Sequence, residues 1–258
     1  MKLLRTEHVY TRYYQEEEIP DESRFTHTNH LFVDQHVLYY AQTTHRAGTY
    51  DPNTLDKAPV PPHLLPRRAR IPNVTLAPAL HAKARHTKYP NVLPYLDLEA
   101  GEAGAAERAC GDMLTEIEFC ELLRREGPHP NLGEYLGCVL RGGRIAAFQY
   151  VKYTCCLADY IGGMRNAHIA DVQELLDGIH AGLRHIHGLG YYHGDLTPDN
   201  IMLQPDGTPI IIGFGSCRPI EEGGSRSNRG SIEEDLAAVL LIEQMLGPRW
   251  LRVATPAY

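Results

Sequence analysis

Tyr192-His193-Gly194-Asp195-Leu196-Thr197-Pro198-Asp199-Asn200-Ile201 is the stretch on which the reading of this chain turns. It sets a histidine, an aspartate two residues on and an asparagine five residues after that in one short segment. The surroundings give that spacing its weight. Upstream, Val172, Leu175, Leu176, Ile179, Leu183 and Ile186 recur at i, i+3, i+4, i+7, i+11 and i+14, which is one apolar stripe along a helix. Gly188 and Gly190 end it. Downstream, Ile201-Met202-Leu203 and Pro209-Ile210-Ile211-Ile212 read as two short strands around the turn Pro205-Asp206-Gly207. Gly213-Phe214-Gly215 follows at once.

Towards the N-terminus, Tyr135–Leu140 and Ile145–Val151 are apolar runs separated by Arg141-Gly142-Gly143-Arg144, a hairpin signal. Before them, Ile117, Cys120 and Leu122 or Leu123 predict a helix over 115–125, stopped by Gly127-Pro128. Residues 99–111, rich in Ala and Gly, read as a flexible turn. Lys88-Tyr89-Pro90-Asn91-Val92-Leu93 forms or adjoins a strand. The segment 51–72 carries Pro52, Pro59, Pro61, Pro62, Pro66 and Pro72. Proline fixes φ and removes donors, so this is a linker or a connection that hugs the surface. Leu31-Phe32-Val33 and Val37–Tyr40 are candidate strands, and residues 1–30, polar and rich in Glu, Tyr and His, read as a loosely ordered leader. Towards the C-terminus a last helix is expected over about 232–246.

The chain has 258 residues, 25 Lys and Arg against 32 Asp and Glu, and a net charge of −7. That balance argues against a nucleic-acid partner, which calls for a basic face; the cluster Arg67-Arg68-Ala69-Arg70 reads as a solvated loop. No run of apolar residues is long enough to span a membrane, and the first residues lack a signal-peptide core, so a cytoplasmic or nuclear protein is expected. Its six cysteines form no C-x-x-C pair and read as free thiols. His185 and His187 stand two apart on a helix and so face different ways, which argues against a metal pair there.

Phosphoryl transfer asks little covalent chemistry of a protein; it needs a placed hydroxyl and compensation of phosphate charge. A loop of the form H-x-D-x-x-x-x-N supplies an aspartate that accepts the hydroxyl proton and an asparagine where the loop turns back towards the metal. Here these are Asp195 and Asn200. On this loop, on His129-Pro130-Asn131-Leu132 and on Gly213-Phe214-Gly215, the chain resembles the protein kinase superfamily, and in particular degenerate Ser/Thr kinase-like proteins of filamentous fungi. The likeness runs over roughly 74–246 and is tight over 129–217.

That resemblance implies an α+β, two-lobed protein-kinase-like fold with an incomplete, small, β-rich N-lobe and a shortened helical C-lobe. It divides the chain into a polar leader and Pro-rich arm (1–72), an N-lobe-like part (73–152) and a truncated C-lobe-like part (153–258). It implies ATP and Mg as cofactors. Lys88, after Thr75-Leu76-Ala77-Pro78, takes the place of the nucleotide-site lysine. Glu116, in preference to Glu118, takes that of its helical glutamate, and Asn200 that of a metal ligand. Asp235 resembles the aspartate that braces the catalytic loop.

The sequence departs from the family pattern where the chemistry lies. Gly213 stands for the metal-binding aspartate. One unit charge lost at ~4 Å is worth about 4 kcal/mol at an effective dielectric near 20, or roughly three decades in rate. No Gly-rich loop precedes Lys88, Gly223-Gly224 and Gly230 come after the loop, Gly194 stands for an arginine, Thr197 for a lysine, and no A-P-E follows. The reading is a Ser/Thr-type kinase-like domain with weak or no activity; its protein substrate or scaffold partner is not named by the sequence. The His-Gly-Asp-Leu form also occurs in small-molecule phosphotransferases of the aminoglycoside- and choline-kinase-like type, which is the alternative.

Overall fold

The structure, a computed structural model, describes residues 1–10, 25–78, 84–96, 104–163, 169, 171–220 and 231–250. The chain forms two compact units interleaved along the sequence. The first is Met1–Ala77, Thr87–Gly111 and Cys138–Phe148; the second is Pro78–His86, Asp112–Gly137 and Gln149–Tyr258.

In the first unit, β1 (Lys2–Tyr10), β2 (Phe25–Asp34), β3 (Val37–Thr43) and β4 (Ala58–Pro59) make an antiparallel sheet in sequence order. The expected loosely ordered leader is therefore corrected: 2–10 and 25–30 are strand, while 11–24 lie outside the described residues. Polarity misled because the polar groups of β2 are buried with partners. Thr28 Oγ1 donates to the His45 carbonyl at 2.7 Å, and His30 bonds Thr6 Oγ1 at 2.8 Å and the Tyr50 hydroxyl at 2.5 Å. A buried polar group is tolerated when it is hydrogen-bonded. Burial then pushes the His30 imidazole below its usual pKa, with His8 adding to the effect.

The proline-rich segment is more than a surface connection. Its prolines start 3-10 turns at Pro52–Thr54 and Pro62–Leu64, and Val60, Leu64, Leu65 and Ile71 are buried. Arg67, Arg68 and Arg70 are exposed, as a solvated loop requires.

A further sheet, in the order β5-β7-β6, is built from β5 (Arg85–Lys88), β6 (Tyr135–Arg141) and β7 (Arg144–Val151). Gly142-Gly143 forms the two-residue turn of the β6–β7 hairpin, where the sequence put it.

The second unit holds most of α1 (Ala105–Glu126), then β8 (Cys155–Cys156), α2 (Leu157–Ile161), α3 (Val172–Gly188), β9 (Tyr191–Tyr192), β10 (Ile201–Leu203), β11 (Pro209–Ile211), β12 (Arg218–Pro219) and α4 (Ile232–Trp250). The flexible turn expected over 99–111 is corrected too: 99–103 lie outside the described residues, but α1 begins at Ala105. Alanine is the best helix former, so an Ala-rich run ahead of an apolar stripe extends the helix. Cys110 alone breaks its geometry, at φ −130°.

α3 begins where Asp171 Oδ1 accepts the Gln173 N–H at 2.7 Å, an N-cap. Leu175, Leu176, Ile179, Leu183 and Ile186 are all buried, so the apolar stripe is the packed face. α3 contacts β11, β9 and α4. Its approach to β11 depends on Gly178, where a Cβ would lie 2.6 Å from Pro209 Cγ. β10 and β11 pair antiparallel around the Asp206-Gly207 turn, with β8 on the other edge of β10. The segment 193–200 is thus slung between α3 and this small sheet.

Candidate active site

α3 ends on the Gly188–Gly190 turn, β9 follows, and the chain then runs into the loop His193–Asn200. The loop is held from below by Asp235, 1% exposed on α4. Its Oδ2 accepts the His193 N–H at 2.8 Å and bonds His187 Nε2 at 2.8 Å; its Oδ1 accepts the Gly194 N–H at 3.0 Å. One carboxylate therefore satisfies two loop amides and a helix histidine, and breaking it would leave several buried groups unmade.

His193 is fully buried. Its Nε2 bonds the Ile212 carbonyl at 3.0 Å, and its Nδ1 accepts from the Asp195 N–H at 3.3 Å. Burial lowers its pKa, against the opposing pull of the Ile212 carbonyl and the Asp235 carboxylate. The imidazole is a tie between the two halves of the site. Gly194, at φ +74°, leaves no room for the arginine of the family pattern: a Cβ there would stand 2.9 Å from the Ser216 carbonyl.

Three of the residues predicted from sequence come together. Asn200 Nδ2 donates to the Asp195 carbonyl at 2.8 Å and to Asp195 Oδ2 at 3.2 Å. Gly213, at φ +83°, lies against Asn200: a Cβ on it would be 2.4 Å from Asn200 Oδ1 and 2.7 Å from Cγ. The asparagine side chain takes the space through which an aspartate side chain would have to leave residue 213. Asp195 is exposed, and its Oδ1 has no partner among the described residues. The arrangement offers one open carboxylate oxygen, Oδ1, on a side chain whose other oxygen is held by the Asn200 amide.

Glu116 lies in the same unit, on α1, and is 1% exposed, whereas Glu118 is exposed. The Tyr150 hydroxyl donates to Glu116 Oε1 at 2.8 Å, and Cys120 Sγ lies 3.0 Å from that hydroxyl. Burial, then the nearby Cys120 and Glu116, push the Tyr150 hydroxyl well above its usual pKa, so it stays a donor. Burial also raises the Cys217 thiol far above its usual range. Sequence reading missed Tyr150; the signal was a phenol inside a mainly apolar strand. Phe214, fully buried, packs against Phe119 of α1 at 5.2 Å and His193 at 5.7 Å between ring centroids. Lys88 belongs to the first unit, at the end of β5, with Nζ 5.8 Å from the centre of the Phe148 ring.

Magnesium binds a near-octahedral shell of oxygens, anchored by one or two carboxylates. The residues around Gly213 do not fit that requirement. Asp195 is the carboxylate bonded to Asn200, accepting at its Oδ2, and the Cβ of an acid at residue 213 would collide with Asn200. Among the described residues no group of three His, Cys, Asp or Glu side chains is placed to hold a metal ion.

The sequence pattern of the protein kinase domain matches residues 98–238, more than half of the chain. The chain belongs to the protein kinase family, with its α+β fold. Among its curated relatives, the serine/threonine-protein kinase/endoribonuclease IRE1 of Hypocrea jecorina is 35% identical over 115 residues, covering 40% of this chain and 9% of that protein. The serine/threonine-protein kinase Tao of Drosophila melanogaster is 33% identical over 108 residues, covering 41% and 10%. The chain thus spans about a tenth of the length of these relatives. A solved structure described as a divergent kinase lacking the glycine-rich loop, which regulates membrane ultrastructure of the Toxoplasma parasitophorous vacuole, is 22% identical. It covers 52% of this chain and 49% of its own, with a TM-score of 0.40. Among the described residues no helix is long and apolar enough to cross a membrane.

Proposed function

We propose that this chain is a Ser/Thr-type kinase-like domain whose phosphotransfer is weak or absent, a pseudokinase that acts by binding. One observation carries the reading: Gly213 replaces the metal-binding acid, and the Asn200 side chain occupies the space next to it, 2.4 Å from where a Cβ would sit. In this reading Asp195 keeps the geometry of a proton acceptor, with one oxygen open. Asn200 is a ligand without its partner, and its amide holds Asp195. The family pattern assigns nucleotide-site roles to Lys88 and to Glu116, and Tyr150 holds Glu116 in place. ATP is the nucleotide expected of such a domain, bound without the usual dependence on magnesium.

The test combines binding and transfer. ATP in excess of its Kd stabilises a protein that binds it, by about 2.7 kcal/mol at a hundredfold excess. Thermal melts with ATP, with and without MgCl2, should show the same shift or none. Transfer of labelled γ-phosphate to casein or to the chain itself should stay near background. Turnover at about 1 s⁻¹ or faster, typical of kinases, and lost in Asp195→Asn, would overturn the degenerate reading.

A further inference from the structure

In the second unit, the turn His129–Leu132 and the last turns of α3 meet through two histidines. The imidazoles of His129 and His185 lie 4.9 Å apart between centroids and 32° apart in plane. Three features of the contact favour neutral rings. The Asn131 N–H donates to His129 Nδ1 at 3.2 Å, a bond that this nitrogen accepts only while it carries no proton. His185 Nε2 is buried with no hydrogen-bond partner among the described residues, so a charge on that ring would be neither solvated nor paired. Two cations at this separation would also repel each other.

The surroundings act in the same direction. Burial, then His185 and Arg184 of α3, hold the His129 imidazole below its ordinary pKa. Arg124, Glu134, Tyr153 and Cys120 line the same groove as His129, where one guanidinium stands against one carboxylate. The helix neighbours of His185 at three and four residues, Ala181, Gly182, Gly188 and Leu189, carry no charge. What the pair holds is set by Asn131. Its carbonyl accepts the Ile211 N–H at 2.8 Å, its Nδ2 donates to the Pro209 carbonyl at 3.0 Å, and the Gly133 N–H donates to the Ile211 carbonyl at 2.8 Å. β11 is therefore fastened to the turn at both of its ends. The next residue, Ile212, donates its N–H to the Asn200 carbonyl at 2.9 Å, and Gly213 follows. The bond at His129 thus begins a series of hydrogen bonds that reaches the loop.

We propose that His129 and His185 form an acid-sensitive latch: closed while both rings are neutral, it holds the turn on α3 and β11 on the turn, and acid opens it and loosens the strand that leads into Gly213. A proton on His129 Nδ1 removes the acceptor of the Asn131 N–H, and the two rings part. The latch is present in full at neutral pH and is lost as pH falls through the His129 midpoint. It acts on the geometry of the loop and stands whether or not the domain transfers phosphate.

Amide hydrogen exchange of the full chain, followed residue by residue by NMR at pH 7.5 and 5.0 and corrected for the intrinsic effect of pH, tests the latch. The neutral fraction of an imidazole at the reference pKa of about 6.5 falls about thirtyfold over that range, and a ring of lower pKa loses less. Protection of the Ile211 and Ile212 amides should therefore fall by at least about threefold in acid, while the Ile179 and Leu183 amides inside α3 change less. The His129 ring resonance should titrate with the midpoint at which Ile211 protection is lost, a comparison that needs no variant. His129→Asn supplies a side-chain oxygen that accepts an N–H two residues on and does not titrate. In that variant Ile211 and Ile212 should be equally protected at both pH values. Protection independent of pH, a fall of equal size throughout α3, a fall at Ile211 without one at Ile212, a midpoint apart from that of His129, or a fall retained in His129→Asn would each overturn the proposal.

Discussion

Replacing Gly213 by alanine tests the geometry on which the functional reading rests. The residue sits at φ +83°, where an L side chain costs about 1–2 kcal/mol. The new Cβ would also fall 2.4 Å from Asn200 Oδ1, so Asn200 must swing away. Its amide then gives up the 2.8 and 3.2 Å bonds to Asp195. At about 0.5–1.5 kcal/mol each, and at the low end because Asp195 is exposed, the loss adds about 1 kcal/mol or slightly more. The expected cost is about 2–3 kcal/mol. For a chain of this size each kcal/mol lowers the melting temperature by about 2–4 °C. Urea unfolding followed by far-UV circular dichroism measures it. Asn200→Ala, added to Gly213→Ala, removes the collision but not the backbone strain. The double variant should therefore cost less than the two singles together, by about 1 kcal/mol. A cost under about 0.5 kcal/mol for Gly213→Ala, or additive singles, would refute the claim that Asn200 fills the space beside residue 213. Gly213→Asp meets the same atoms, so on its own it should not bring magnesium dependence to nucleotide binding.

Other parts of the fold make separate predictions. Tyr150→Phe keeps the packing but removes the donor to the buried Glu116 carboxylate; it should cost about 1–3 kcal/mol in chemical denaturation. Gly178→Ala forces a Cβ against Pro209 and should cost about 1–3 kcal/mol. Gly188→Ala, on the same helix with open space around it, should gain about 0.4–1 kcal/mol. The pKa values of His30, His129 and His193 are all lowered by burial. Below a pH of about 6.5 the unfolded chain takes up protons on these rings that the folded chain resists. Their contribution is complete above that pH and is lost as pH falls, so the melting temperature should drop from pH 7 to 5.5; a flat or rising midpoint would contradict it.

Local physics was legible in the sequence. The stripe Leu175 to Ile186 needed only the helical repeat, and α3 runs from Val172 to Gly188 with that stripe buried. Gly142-Gly143 and Asp206-Gly207 needed only turn geometry, and both hairpins form. The loop His193–Asn200 could be placed because the elements on either side were readable, and with it came the family. The preference for Glu116 over Glu118 came from the family resemblance; the structure buries the first and exposes the second.

What the tertiary structure decided lies in partners far apart along the chain. β1 and the first part of β2, up to His30, looked like a leader because that segment is rich in polar residues, and nothing local shows that Thr6 and Tyr50 close around His30. Tyr150 and Glu116 stand 34 residues apart, and no periodicity links a phenol on a strand to an acid on a helix. Sequence alone showed that Gly213 lacks a carboxylate. Only the fold shows that Asn200, thirteen residues earlier, stands where that side chain would begin. Spacing is a property of one segment, whereas excluded volume and hydrogen-bond satisfaction belong to segments that meet only once the chain has folded.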